Sequence, residues 1–505
     1  TYGERLVYKE KGCCVDWRDR GFAICYYVHI CVMILLAIVL PAKYFGVAAP
    51  STFDEFTPSP LPNWYTPSPL PNWYTPSPLP NWLTLTPETT WNIDYDDTEL
   101  DLLPIGGVIG TVIIQCIVAV LFGILWLKLI EKFASTIIKV ILFLVLGSLI
   151  ALSLLFFALK SKSGGIIGLI FVALYGIYIY CVWGRIPFSS ALLKISSSIT
   201  QSFEGTIWLS FGIIPFNIGW NAVISSSGVG LVFALAYNEA SGVLWFIAFL
   251  ILILSHTWGH EVNKNVLHTT ICGVCATWYF SKEVHKPTTP ALKRTVTTSF
   301  GSVCFGSFIV AVLQALRALL RSQRRNTLLA CIVYCLLLCI ERLIRYFNMY
   351  AFAQVAIYGS DFIQAAKATW GLFSSKGFSA IINDDLTGLA LFCGGVLAGL
   401  CSCFIGVFGL VPAFYPESQY GTTTVVIQII IGVWGFFLGY YLCVVILMVV
   451  RSSIVCLFVC FAEDPAALQE NRPEEFGMIT GAKQELQTFA QTGHTGIETE
   501  AEQKK

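Results

Sequence analysis

Apolar runs dominate the chain, and their lengths decide its class. A helix needs about 20 consecutive apolar residues to cross a hydrocarbon core, and runs of that order recur from Phe22 onward. Ten are predicted to span, over 22–46, 105–128, 133–159, 164–183, 206–236, 243–262, 266–281, 299–320, 386–411 and 422–450. Lys264 and Asn265 are the polar break read as the interface between the sixth and seventh. The run from Leu328 to Ile340 is short for a crossing and is read as re-entrant or interfacial. It leads through Glu341, Arg342 and Arg345 into the amphipathic stretch IYGSDFIQAAKATW. Residues 321–385 are therefore expected as a cytoplasmic segment of membrane-lying helices. The expected fold is all-α, a polytopic helical membrane protein of about ten spans.

Composition agrees. Hydrophobic residues make up 56% of the chain and charged ones 12%, where a soluble domain carries about a quarter. Net charge is zero, which offers no electrostatic footprint for nucleic acid. Most of the 18 cysteines lie inside apolar runs, where the thiol acts as a small hydrophobe, so no secreted disulfide framework is implied. The excess of Lys and Arg on one set of loops orients the chain. With residues 1–21 inside, the lysine- and arginine-free stretch from Tyr44 to Leu127 faces outward, and the tail from 451 to 505 is cytoplasmic and partly disordered. The segment 282–298 fits worst: the count puts it outside although it holds Lys282, Lys286, Lys293 and Arg294.

The outer loop over 47–104 contains TPSPLPNWY written three times, the last copy ending in Leu83. Three prolines per repeat favour extended polyproline II and exclude helix. Such a loop has no packed interior in which to desolvate a solute. It is either a duplicated spacer or a docking surface with Trp64, Trp73 and Trp82, and any transport chemistry lies in the bundle. Cys13-Cys14, beside Lys9 and Lys11, is a candidate for palmitoylation.

Polar and aromatic residues enter the apolar helices between Trp208 and Phe280. In the fifth span Pro215, flanked by Gly212 and Gly219, is expected to break the helix and free backbone carbonyls. Trp208, Phe216, Asn217, Trp220 and Asn221 surround it. In the seventh span His268, Cys272, Cys275 and Tyr279 share one helix face, with Trp278 beside them. A histidine inside a span is a functional candidate. His256 and His260 stand at i and i+4 before Glu261, but with six histidines in all there is no second box to complete a metal site. The small-residue stretch SFGSVCFGSF at 299–308 is a helix-packing signal. No phosphate-binding, nucleophile-elbow or zinc-protease motif occurs, so neither an enzyme nor a cofactor is implied. An aromatic, weakly polar pathway suits an organic cation, because ring faces attract cations.

The same residues carry a resemblance. HTTICGVCATWYF (268–280) and ALKRTVTTSFGSVCFGSFIVAVLQALR (291–317) resemble the choline transporter-like family, nearer its fungal and protist branch. RIPFSSALLK (185–194), YFNMYAFAQVAIYGSDFIQAAKATW (346–370) and FVCFAEDPAAL (458–468) match in the same order. The resemblance implies a ten-span transporter of choline, in some members ethanolamine, in a plasma or organellar membrane. It further implies sodium-independent uptake, commonly linked to protons, and cytoplasmic termini. The proline-tryptophan repeat is not a family feature. The expected site is a cage of Trp208, Phe216, Trp220, Trp278 and Tyr279, with Asn217 for a hydroxyl group and His268 as the proton-sensitive residue. The expected partners are a choline-like cation and the lipid bilayer. A rival is a non-transporting scaffold or receptor that uses the repeat loop.

Overall fold

Long apolar runs with no water to satisfy their backbone must close every hydrogen bond within the segment, and the computed structural model is built accordingly. It describes residues 18–45, 105–238, 241–323, 328–415 and 423–484, and among these every regular element is a helix. In chain order they are α1 (Arg20–Phe45), α2 (Ile105–Ala158), α3 (Lys162–Val182), α4 (Ile186–Ser202), α5 (Gly205–Tyr237), α6 (Gly242–Phe280) and α7 (Thr288–Val296). There follow α8 (Phe300–Gln323), α9 (Leu328–Tyr358), α10 (Phe362–Ile405), a π-helical turn (Gly406–Leu410), α11 (Val411–Phe414), α12 (Thr423–Glu463) and α13 (Pro465–Asn471). The repeat loop, the first 17 residues with Cys13-Cys14, and the tail beyond 484 lie outside the described residues.

Eight described stretches are long and apolar enough to cross a membrane. The difference from the ten predicted spans has two sources. Predicted spans two and three form α2, whose 54 residues reach roughly 80 Å at 1.5 Å per residue. Its backbone leaves helical geometry at Phe133 (φ −125°, ψ 23°), within one residue of the predicted boundary. Predicted spans six and seven are instead one uninterrupted helix, α6. Lys264 and Asn265 do not mark an interface: Asn265 is buried and Lys264 lies 3.6 Å from Glu261 one turn earlier.

The run from Leu328 is also not a short re-entrant piece. It begins a 31-residue helix, α9, roughly 46 Å long. Helix continues through Glu341 and Arg345 because the bundle supplies partners for both: Arg317 from α8 for the first, Glu261 from α6 for the second. An apolar stripe of Leu329, Ile332, Leu336, Ile340 and Leu343 stays exposed on its other side.

The fifth span carries no break. α5 is continuous with Pro215 inside it. A membrane helix tolerates a proline when its neighbours hold the two halves in line. Here α1 and α6 do so, through Ser227 Oγ to the Met33 carbonyl (3.0 Å) and Trp220 against Gly259.

Close approaches set the packing. Gly394 faces the Trp126 indole, and Gly399 faces the Phe436 carbonyl where α10 crosses α12. The 299–308 stretch is a contact surface as expected: a Cβ on Gly301 would lie 2.2 Å from the Arg18 carbonyl oxygen, and one on Gly306 would meet Phe362 and Phe352. The second half of α12, from Ser452 to Cys460, is buried throughout and forms the central post.

One end of the bundle gathers distant parts of the chain. Arg18 N–H donates to the Thr298 carbonyl (2.8 Å), and Asp19 accepts from Ser302 (2.7 Å) and the Phe362 N–H (3.0 Å). The Tyr279 hydroxyl donates to the Asp464 carbonyl (2.8 Å) where α12 turns into α13. The start of α1, the connection 281–299 and the end of α12 therefore share one side. With α6 a single helix, segment 282–298 moves to the side of the N-terminus, contrary to the ten-span count made from sequence.

Candidate functional site

α6 carries a buried polar stripe in apolar surroundings. Ser255, Glu261, Asn263, Asn265, His268, Thr269 and Thr270 are all buried, and a buried polar group left unpaired costs roughly 1–3 kcal/mol. Partners on other helices fix its position. Asn263 donates to Asn217 Oδ1 on α5 (3.1 Å), and Asn265 donates to Ser307 Oγ on α8 (2.9 Å).

His268 is clasped on both ring nitrogens. Nε2 lies 2.8 Å from the Met349 carbonyl of α9, and Nδ1 lies 2.9 Å from Ser452 Oγ of α12. A carbonyl only accepts, so Nε2 carries a proton. The Ser452 hydroxyl has one proton to give, and it also reaches the Met448 carbonyl at 2.9 Å. Directed at Nδ1, that proton makes a neutral imidazole comfortable. Directed at Met448, it leaves Ser452 Oγ to accept from a protonated Nδ1. The cradle fits either charge state by rotation of one hydroxyl.

About two turns before it, at Glu261, starts a ladder of charges. Glu261 Oε1 accepts from Arg345 Nη1 (2.5 Å) and Gln314 Nε2 (2.9 Å), and Oε2 lies 3.6 Å from Lys264 Nζ. Arg345 continues to Glu341 (2.9 Å), and Glu341 to Arg317 (2.7 Å). The two carboxylates are buried and the cations are about one-third exposed. Three helices, α6, α8 and α9, are thereby tied at one level.

Ladder and histidine border a cavity of about 390 Å³. α6 contributes Glu261, Lys264, Asn265 and His268; α9 contributes Arg342, Arg345, Tyr346 and Phe352; α12 contributes Val444, Met448, Arg451 and Ser452. The volume lies within the usual range for a small-molecule site, about 300–1,000 Å³. A second cavity, about 590 Å³, lies at the far end of α6 beside Thr277, Arg294, Asp464 and Asn471. A small void at Thr269, Gly273, Thr295 and Ser299 adjoins it, sharing Gly273, Arg294 and Ala356.

The residues expected as an aromatic cage do not converge. Trp208 is 73% exposed and Phe216 55% exposed, both on the outer face of α5. Trp220 is buried, but against Gly259 and beside His29 and the His256 carbonyl. Trp278 and Tyr279 are buried near the opposite end of α6, Trp278 under Arg472 and Tyr279 bonded to Asp464. Gly259 and Trp278 are roughly 28 Å apart along the helix. Asn217 spends its carbonyl oxygen on Asn263. The reason is rotational: an unbroken α5 sets Phe216 about 80° and Trp220 about 120° round the axis from Trp208, so no single hollow receives them. Of the predicted set, His268 alone borders the cavity. His256 and His260 are exposed, and among the described residues no three metal-ligating side chains are grouped.

Arg345, Arg451, Met349 and Ser452 escaped the sequence reading. Arg345 stood in a segment taken as cytoplasmic, and Arg451 stood one residue past the last predicted span. The available signal was the pairing of Glu341 with Arg345 at i and i+4 beside an apolar run too rich to lie in water.

A family model described as plasma-membrane choline transporter matches residues 166–466, which contain the whole cavity. A CTL-like protein of Dictyostelium discoideum is 32% identical over 404 residues, covering 76% of this chain and 68% of that protein. The PNS1 protein of Kluyveromyces lactis is 32% identical over 409 residues, covering 74% and 72%. That of Mycosarcoma maydis is 30% identical over 390 residues, covering 72% of each.

Proposed function

The chain belongs to the choline transporter-like family and is a membrane transporter, and from that premise we propose that it carries choline or a related ammonium compound such as ethanolamine through the His268 cavity. The observation that supports this most is the cavity itself. It is a void among four helices, bordered by buried polar groups whose partners come from three other elements. Structural polarity alone calls for satisfied groups, and gives no reason for a 390 Å³ space beside them.

Its walls suit a small ammonium compound on one side. Phe352 offers a ring face and Met349 and Met448 offer polarisable sulfur to methylated carbon. Asn265 and Ser452 supply polar atoms near a hydroxyl group. The void at Thr269 and Gly273 and the larger cavity at Thr277 continue the line of α6 toward the end that holds the N-terminus. They outline the second half of a route closed at His268 by its bonds to Met349 and Ser452. Proton linkage fits the same place, because the Ser452 hydroxyl adapts the cradle to either charge state.

The proposal extends to sidedness. The shared end of the bundle carries Arg18, Arg20, Lys282, Lys286, Lys293 and Arg294, which under the positive-inside rule makes it cytoplasmic. The plasma membrane is the compartment proposed.

Liposomes reconstituted with the full chain test this. Labelled choline or ethanolamine should enter saturably, with a rate that responds to an imposed pH gradient. In His268→Gln the rate should fall about tenfold, the low end of a lost positioned proton carrier, and the pH response should vanish. Uptake no faster than into protein-free liposomes refutes the reading.

A further inference from the structure

The charges around the cavity say more about its solute. Four cations border it: Lys264, Arg342, Arg345 and Arg451. Glu261 is the one carboxylate among its bordering residues, and its oxygens are already committed to Arg345, Gln314 and Lys264. Glu341, the other acid of the ladder, is turned to Arg317 and Arg345 and does not border the space. A solute that is only a cation enters against an excess of like charge, at a depth where water screens less than in bulk.

From this we infer that the preferred solute carries an anionic group beside its ammonium: a zwitterion of the phosphocholine type, a phosphate ester of a choline-like alcohol. This rests on the reading of the cavity as the transport site and specifies its substrate class.

The two ends of such a molecule match two walls. Phosphate oxygens take paired donors, and a guanidinium presents a planar fork that fits them. Arg342 on α9 and Arg451 on α12 are exposed where they border the cavity, so they can meet a ligand without being drawn from a buried site. Lys264 adds a point charge from α6. Phe352 and Met349 on α9 and Met448 on α12, which also border the space, receive the methylated ammonium. Each end is met by residues of both α9 and α12, so the solute itself links the two helices when it binds. A free choline would satisfy one wall and leave the basic wall facing a like charge.

Binding to the purified full-length protein in a sugar-headgroup detergent, which brings no phosphate of its own, decides the matter. The probes are phosphocholine, choline, inorganic phosphate and a short-chain phosphatidylcholine, each followed by the rise in melting temperature. Phosphocholine should bind at least tenfold tighter than choline or inorganic phosphate. Arg451→Gln and Arg342→Gln should each weaken phosphocholine at least tenfold and tighten choline, because one like charge is gone from the cavity. Arg451→Lys, which keeps the charge without the fork, should bind phosphocholine more tightly than Arg451→Gln and less tightly than the parent, and a ligand-free melting temperature like the parent's guards against a folding defect.

Choline binding as tightly as phosphocholine overturns this inference and leaves the choline reading intact. Phosphocholine binding without choline supports it and removes choline from the reading above. Inorganic phosphate binding as well as phosphocholine overturns the ammonium half. Binding of the short-chain lipid alone overturns the soluble solute, and binding of neither choline nor phosphocholine overturns both proposals.

Discussion

Glu261→Gln is the substitution that tests the charge ladder most directly. The side chain is nearly isosteric, so what changes is one negative charge held between Arg345 and Lys264, with Gln314 as a neutral third donor. At an effective dielectric of about 20, an ion pair at 4 Å is worth roughly 4 kcal/mol gross. Removing one partner of a fully buried pair costs about 3–5 kcal/mol, because the other charge is left without compensation. The carboxylate is 5% exposed, but Arg345 is 34% and Lys264 37% exposed. Both cations can therefore regain some water, and screening lowers the cost. About 2 kcal/mol remains, which at about 2.1 cal/mol/K of unfolding entropy per residue lowers the melting temperature of a chain this long by about 2 °C.

Purified protein in detergent, melted by intrinsic tryptophan fluorescence, gives the readout. Arg345→Met is the control, because Glu341 keeps Arg317 and Glu261 keeps Lys264 and Gln314. The double variant should lose less than the sum of the singles by about 1 kcal/mol, the signature of a direct pair. A Glu261→Gln protein that melts with the parent, or a strictly additive double variant, would show that the ladder does not hold α6 to α9.

Three further outcomes are expected. Trp208→Ala and Phe216→Ala, on the exposed face of α5, should leave uptake within about twofold of the parent; a tenfold loss in either would return them to the site. Gly273→Leu would fill the void beside Ala291, whose Cβ is already 3.3 Å from the position of a new Cβ; uptake in liposomes should fall at least about tenfold, a barrier rise of about 1.4 kcal/mol, with solute binding by thermal shift unchanged, and full uptake would remove that void from the route. Asp19→Ala deletes the acceptor for Ser302 and for the Phe362 N–H and should cost about 2 kcal/mol, read as a lower melting temperature; an unchanged melt would show that α1 is not anchored there.

Some of the site was legible from residue types alone. His268 stood out because an ionisable side chain in an apolar run needs a partner, and it borders the cavity. The aromatic cage did not survive, because a list of rings within one stretch of sequence says nothing of their angles about the axis. Trp208 and Phe216 are on the outside for that reason. The proline at 215 was read as a break, whereas packing by α1 and α6 keeps α5 whole. The charges at Lys264, Glu341 and Arg345 were read as water-facing, since each taken singly is costly in a helix bundle. Paired across helices they are not.

What the sequence determined by itself is the helical, membrane-spanning class, the small-residue contact at 299–308 and the family. Each follows from a local quantity: run length, side-chain volume or an ordered set of motifs. The tertiary structure decided which runs join into one helix, which end of the bundle gathers the basic segment 282–298, and where the empty space lies. Those depend on partners hundreds of residues apart, such as His268 with Ser452 and Asp19 with Phe362. A charge or a void has no meaning along one chain until the neighbouring helix supplies the atom that satisfies it or leaves it open.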